Sequence, residues 1–173
     1  MDRKVPPESD AAQALAMPWM TLVNERTGSD MRLIRKLDSM HCKQAALQVL
    51  TGVDGETIDY MATALLERRF RLYAKYLDEA AMQSMRAKFA AYRTQWMDLA
   101  AETSAQMARD PSPYSPEAQP LFLRWIEVSR AVWGPDPAVQ EQVRLAHVNE
   151  PDILVGAGVS KEMIAYLGKA FRI

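Results

Sequence analysis

The feature that most restricts this chain is an internal repeat. Shifted by 106 residues, positions 9–65 fall on positions 115–171 without a gap. The identical pairs include Ser9/Ser115, Ala12/Ala118, Gln13/Gln119, Leu15/Leu121, Trp19/Trp125, Gly28/Gly134 and Asp30/Asp136. They continue with His41/His147, Gly52/Gly158, Val53/Val159, Glu56/Glu162, Ile58/Ile164, Tyr60/Tyr166 and Ala64/Ala170. Other pairs exchange one apolar side chain for another, as in Met20/Ile126, Leu37/Val143, Leu47/Ile153 and Met61/Leu167. Both histidines of the chain form one pair, and two of its four tryptophans form another. Each half reads as one three-helix unit: a helix carrying Trp, a helix carrying His, then a Gly-Val turn and a short helix carrying Tyr. A unit that small cannot bury its apolar face alone, so the halves are expected to pack on each other or on the segment between them. The chain divides accordingly into a first repeat over 1–66, connecting helices over 67–110 and a second repeat over 111–173.

Local signals are helical throughout. The 3.6-residue period recurs along the chain and no alternating run of strand length interrupts it. Ser115-Pro116-Glu117 reads as an N-cap, a first-turn proline and an acidic first turn. Ser9-Asp10, Asp54, Asp78-Glu79 and Ser160 mark further helix starts, and Gly52 and Gly158 read as left-handed turn residues. The pattern predicts helices over 9–27, 31–48, 55–76, 79–109, 115–133, 137–149 and 160–171, with 110–114 as the one clear loop. The expected fold is all-α, a compact helical bundle with pseudo-two-fold symmetry, built from the duplicated three-helix unit joined by long central helices.

The segment 79–109 differs from the rest. One of its faces carries Met82, Met85, Phe89, Tyr92, Trp96, Leu99, Thr103 and Met107 at intervals of three and four, with Arg86, Lys88, Arg93, Asp98 and Glu102 off it. Such a stripe is a buried bundle seam, the wall of a cavity for an aromatic ligand, or each in a different part of one helix. The 11 methionines of the chain suit both readings, because Met fills cores and also re-packs around varied ligands.

Composition closes off several function classes. With 21 Lys and Arg against 22 Asp and Glu, the chain lacks the basic excess of a nucleic-acid or anionic-membrane binder. No helix-turn-helix with a basic recognition helix is found, and the basic run Glu67-Arg68-Arg69-Phe70-Arg71 reads as a solvated helix face. The single cysteine, Cys42, excludes an intramolecular disulfide framework and a multi-cysteine zinc site. The N-terminus has no apolar signal core and no stretch approaches the ~18 apolar residues of a membrane span, so a soluble, cytoplasmic protein is expected.

Catalytic signatures are missing too. Gly156-Ala157-Gly158 follows no strand and lacks the Gly-Lys-Ser/Thr ending of a phosphate loop, and there is no HExxH, GxSxG or CxxC. His41 and Cys42 are adjacent on a helix, so their side chains point about 100° apart and make a poor base and nucleophile. The histidines read as structural, each bonding a loop carbonyl, or, for His147, as a ligand contact. A non-catalytic protein without cofactor or metal is expected. Trp19 and Trp125, being repeated, read first as core of the unit. Tyr92 and Trp96 lie in the connector and Trp133 aligns with Thr27, so the repeated fold does not account for them and they are better ligand candidates.

Three stretches carry a family resemblance: Ser115-Pro-Glu-Ala-Gln-Pro-Leu-Phe-Leu-Arg-Trp125, Trp133-Gly-Pro-Asp-Pro137 and Gly158-Val-Ser-Lys-Glu-Met-Ile-Ala-Tyr166. They resemble the C-terminal effector domains of MerR-type regulators of the thiostrepton-binding (TipA-S-like) and albicidin-binding type. The second half fits over 111–171. The first fits more loosely, with Pro18 before Trp19 and Ser29-Asp30-Met31 where the turn would read Pro-Asp-Pro. The resemblance implies an all-α domain that sequesters a bulky hydrophobic or aromatic antibiotic, two such units standing in tandem around the ligand. A full regulator of this kind would carry a winged helix-turn-helix and a dimerising coiled coil before this region, and neither is in the sequence. A stand-alone binder, monomeric or a weak homodimer, is expected; the alternative is the ligand-sensing part of such a regulator without its DNA-binding part. Tyr73, Phe89, Tyr92, Trp96, Trp125, Trp133 and His147 are expected near the ligand.

Overall fold

The computed structural model describes residues 5–170. Eight α-helices and no strand occur among them: α1 (Asp10–Thr27), α2 (Met31–Lys43), α3 (Ala45–Thr51), α4 (Gly55–Tyr73), α5 (Glu79–Arg109), α6 (Ala118–Trp133), α7 (Pro137–Asn149) and α8 (Lys161–Ala170). A 3-10 turn, Pro151–Leu154, stands between α7 and α8. No described helix is long and apolar enough to cross a membrane.

Helix boundaries recur at the spacing of the sequence repeat. α7 begins and ends 106 residues after α2, α1 and α6 end at the paired residues Thr27 and Trp133, and α4 and α8 begin at the paired Gly55 and Lys161. The caps recur as well. Asp30 and Asp136 each accept a hydrogen bond of 2.8 Å from the backbone N–H two residues on. Asp54 accepts from Thr57 N–H at 2.8 Å and Ser160 from Met163 N–H at 3.1 Å.

Three expected boundaries move, each for a physical reason. The helix expected over 31–48 is broken at Gln44, whose backbone is extended at φ −113°, ψ 96°. The paired Glu150 makes the same break at φ −119°, ψ 81°, where Pro151 disfavours a helical residue before it. Ala45 gives no such signal; here the Gln48 side-chain amide donates to the His41 carbonyl across the break. The helix expected from Ser115 begins at Ala118, because the Ser115 hydroxyl does not cap it but accepts from the buried Gln106 side chain at 3.3 Å. The helix expected to reach 76 ends at Tyr73 in turns closed by Tyr76 and Leu77 N–H on the Tyr73 carbonyl. Residue 171 of the last expected helix lies outside the described residues.

The chain forms two units, Met1–Arg69 and Phe70–Ile173, divided within α4. In the first, α1 packs on α2 and α2 on α3. In the second, α5, α6 and α8 pack pairwise, and α7 packs on α6 and on the 3-10 turn. The core of the second unit gathers Leu99 and Ala100 from α5, Ala118 and Leu121 from α6, and Met163, Leu167 and Ala170 from α8. The connecting helix is thus part of the second unit's core, not a bare spacer. Leu99, 1% exposed, is among the most deeply buried large side chains of this cluster. Leu99→Ala is expected to cost about 2–5 kcal/mol of unfolding free energy, read by denaturant titration.

Candidate functional site

The α5 stripe changes character along its length. Met82 and Met85 near its start and Leu99 and Thr103 toward its end are buried, whereas Phe89, Tyr92 and Trp96 between them are only half-buried. Large aromatic rings left part-open in the middle of a helix that is core on both sides form surface available to a ligand.

Trp96 is the centre of a run of ring contacts. Its ring lies 4.5 Å from that of Trp125 on α6, tilted by 44°, and 6.2 Å from that of Trp133 at the end of α6, edge to face at 60°. Trp133 meets the His147 imidazole of α7 edge to face, 5.8 Å away at 84°. His147 in turn lies 5.7 Å from the Tyr73 ring, and the Tyr73 hydroxyl and His147 Nε2 share a hydrogen bond of 2.6 Å. Trp125, Trp96, Trp133, His147 and Tyr73 therefore form one ladder. Four of its rings are half-buried; Tyr73 is buried. The two remaining expected residues stand elsewhere in the same unit. Phe89 packs edge to face on Phe70 at 5.7 Å, with the Arg86 guanidinium 4.3 Å above the Phe70 ring on a helix turn shared with Phe89. Tyr92 borders a cleft between α5 and α6 of about 300 Å³.

That cleft was not foreseen in the sequence, because its lining alternates character. Tyr92, Leu99, Val128 and Ala131 supply an apolar wall, while Asp98, Glu102, Glu127 and Arg124 supply charge. Glu102 and Arg124 make a two-pronged ion pair, with Arg124 Nη2 donating to Glu102 Oε1 at 3.1 Å and Nη1 donating to Oε2. Hydrogen bonding from Arg124 holds the Glu102 carboxyl below its ordinary range, and the same contact raises the Arg124 guanidinium. The only sequence signal was that Asp98 and Glu102 sit off the stripe at i, i+4.

In the first unit His41 bonds through Nδ1 to the Leu37 carbonyl of its own helix at 2.9 Å, not to a loop carbonyl. His147 shares a hydrogen bond through Nε2 with the Tyr73 hydroxyl. Cys42 is exposed, with its sulfur 3.3 Å from where a Cβ on Gly55 would stand. Among the described residues no three His, Cys, Asp or Glu side chains are placed to hold a metal ion. No protein-family model matches this chain, and no curated protein matches its sequence.

Two outcomes follow from this geometry. Tyr73→Phe removes the hydroxyl bonded to His147 and is expected to lower stability by about 1 kcal/mol in thermal or urea melts. Glu102→Gln is expected to cost less than about 1 kcal/mol at neutral pH, since the pair is half-exposed. Because the folded carboxyl titrates below its unfolded value, that difference is present above the ordinary glutamate pKa. It disappears as the pH falls through the lowered folded value, as paired urea titrations across acid pH would read.

Proposed function

We propose that this protein is a non-catalytic binder that sequesters a bulky, hydrophobic, aromatic antibiotic-like molecule and so lowers its free concentration. The observation that carries this reading is the ladder from Trp125 through Trp96 and Trp133 to His147 and Tyr73, half-buried along most of its length. Stacking and edge contacts with such rings add about 0.5–1.5 kcal/mol per pair beyond the area they bury, and they need no catalytic group. The cleft bordered by Tyr92 has a volume at the lower end of the range for drug-sized ligands. Trp96 of the ladder follows Tyr92 one helical turn on along the α5 stripe. The coincidence of helix ends and caps at 106 residues supports a duplicated three-helix unit, the arrangement implied by the resemblance to thiostrepton- and albicidin-binding domains.

The test is a thermal-shift screen against aromatic antibiotics, thiopeptides and albicidin-like compounds included. A ligand at about 100 times its dissociation constant adds about 2.7 kcal/mol to stability, which moves the midpoint by roughly 5–10 °C. A shift with one chemical class, and recovery of that compound unchanged by mass spectrometry, supports sequestration; chemical turnover of it overturns the reading. Trp96→Ala is expected to weaken binding at least tenfold by calorimetry while the variant stays folded in far-UV circular dichroism. Unaltered affinity removes Trp96 from the site.

A further inference from the structure

The face of α6 that carries the ladder holds a buried polar group that the fold does not use. Trp125, Ser129 and Trp133 follow one another at i, i+4 and i+8 and so share that face, and the rings of both tryptophans meet Trp96 of α5. Ser129 is 5% exposed, and among the described residues its hydroxyl has no hydrogen-bond partner. Other hydroxyls in these helices behave differently. Thr21, Thr27, Thr51, Thr63 and Thr103 each donate to the carbonyl four residues back, at 2.7 to 3.1 Å. The Trp125 carbonyl stands at the same offset from Ser129 and is not taken by it. Packing does not demand a hydroxyl here either, because the paired residue of the first repeat is Val23. A second buried hydroxyl without a partner, that of Tyr166, belongs to a repeated residue matched by Tyr60. Ser129 is unrepeated, as are Trp96 and Trp133.

We propose that Ser129 is the polar contact of the aromatic binding site, its hydroxyl donating a hydrogen bond to an uncharged acceptor oxygen in the middle of the ligand. This inference rests on the binding role proposed above, and deepens it by naming the ligand class: an extended aromatic molecule whose rings flank a carbonyl. A buried donor left unpaired is costly, and a ligand oxygen that pairs with it removes that cost. Position decides where on the ligand the oxygen stands. Four residues of α-helix rise about 6 Å, so Ser129 has a tryptophan about that far along the axis on either side. Rings resting on Trp125 and Trp133 therefore place the group that joins them at Ser129. Trp96 lies against both tryptophans and is half-buried. The ligand reaches the hydroxyl by turning that ring aside to lie on its own outer face, a side-chain rearrangement of a kind common on binding.

The experiment titrates two probes against tryptophan fluorescence: 4-benzoylbiphenyl, a diaryl ketone, and 4-benzylbiphenyl, in which a methylene replaces the carbonyl. The ratio of the two affinities, ketone over hydrocarbon, is expected to be about tenfold higher on the unaltered protein than on Ser129→Ala, as one buried hydrogen bond provides. Ser129→Ala is expected to keep the affinity for the hydrocarbon and not to lower the melting temperature, since an unpartnered hydroxyl contributes nothing to the fold. Tyr166→Phe, which removes the other unpartnered hydroxyl, is expected to leave the ratio as it is in the unaltered protein. Equal ratios on the unaltered protein and Ser129→Ala, a ratio lowered as much by Tyr166→Phe, or a melting temperature lowered by Ser129→Ala overturns the role of Ser129 and leaves the aromatic binding role standing. Binding of neither compound overturns this inference together with the binding role on which it rests.

Discussion

The second unit depends on one constraint: a single 31-residue helix, α5, has to be core and open surface on the same stripe. Its ends meet that demand with flexible and small side chains. Met82 and Met85 fill the first part, and Leu99, Ala100 and Thr103 close against α6 and α8 in the second. Thr103 is fully buried and still costs nothing in unmet polarity, since its hydroxyl donates to the Leu99 carbonyl one turn back at 2.7 Å. Between these anchors the rings of Phe89, Tyr92 and Trp96 are too large to be swallowed by a three-helix contact and too apolar to stand alone. The solution adopted is ring on ring, with Trp125 and Trp133 of α6 both against Trp96.

That arrangement explains why a repeated sequence carries an unrepeated cluster. Trp125 has a counterpart in Trp19 and His147 in His41, but Trp96 belongs to the connector and Trp133 is matched by Thr27. Thr27 is buried and turns its hydroxyl back to the Val23 carbonyl at 2.8 Å, offering nothing to a neighbour. His41 likewise bonds within its own helix, whereas His147 reaches a tyrosine 74 residues away in sequence. The same helical frame therefore holds self-satisfied side chains in one unit and outward-reaching ones in the other. The difference comes from what lies between the repeats.

Much of the fold was legible because local chemistry and periodicity agree. Helix starts read at Ser9, Asp54, Asp78 and Ser160 are where helices begin, and the turn glycines Gly52 and Gly158 hold positive φ. The failures are instructive in kind. The break at Gln44 depends on a side-chain amide crossing to the His41 carbonyl, a contact that no propensity encodes. Ser115 had the right neighbours for a cap and was claimed by Gln106 instead, a tertiary partner nine residues earlier. For the candidate site, the apolar stripe and the unrepeated aromatics pointed to Trp96 and Trp133, which touch, whereas Trp125, read first as core, and the repeated His147 join them through tertiary contacts. The cleft beside Tyr92 was hidden, because its walls come from two helices and its polar members read as ordinary solvated positions.

The turn after Trp133 shows how the fold and the cluster are joined. In the first repeat the corresponding turn runs through two left-handed residues, Gly28 at φ 60° and Ser29 at φ 58°. Proline cannot adopt positive φ, so Pro135 in the place of Ser29 forbids that route. Gly134 instead takes φ 86°, ψ 172°, a conformation essentially reserved for glycine and extended in ψ as a residue before proline requires. One substitution of backbone chemistry thus redirects the chain at the end of the ladder. Helix ends stay in register between the repeats while the turn between them is rebuilt. At such a turn the conformation can change without moving the helix ends on either side.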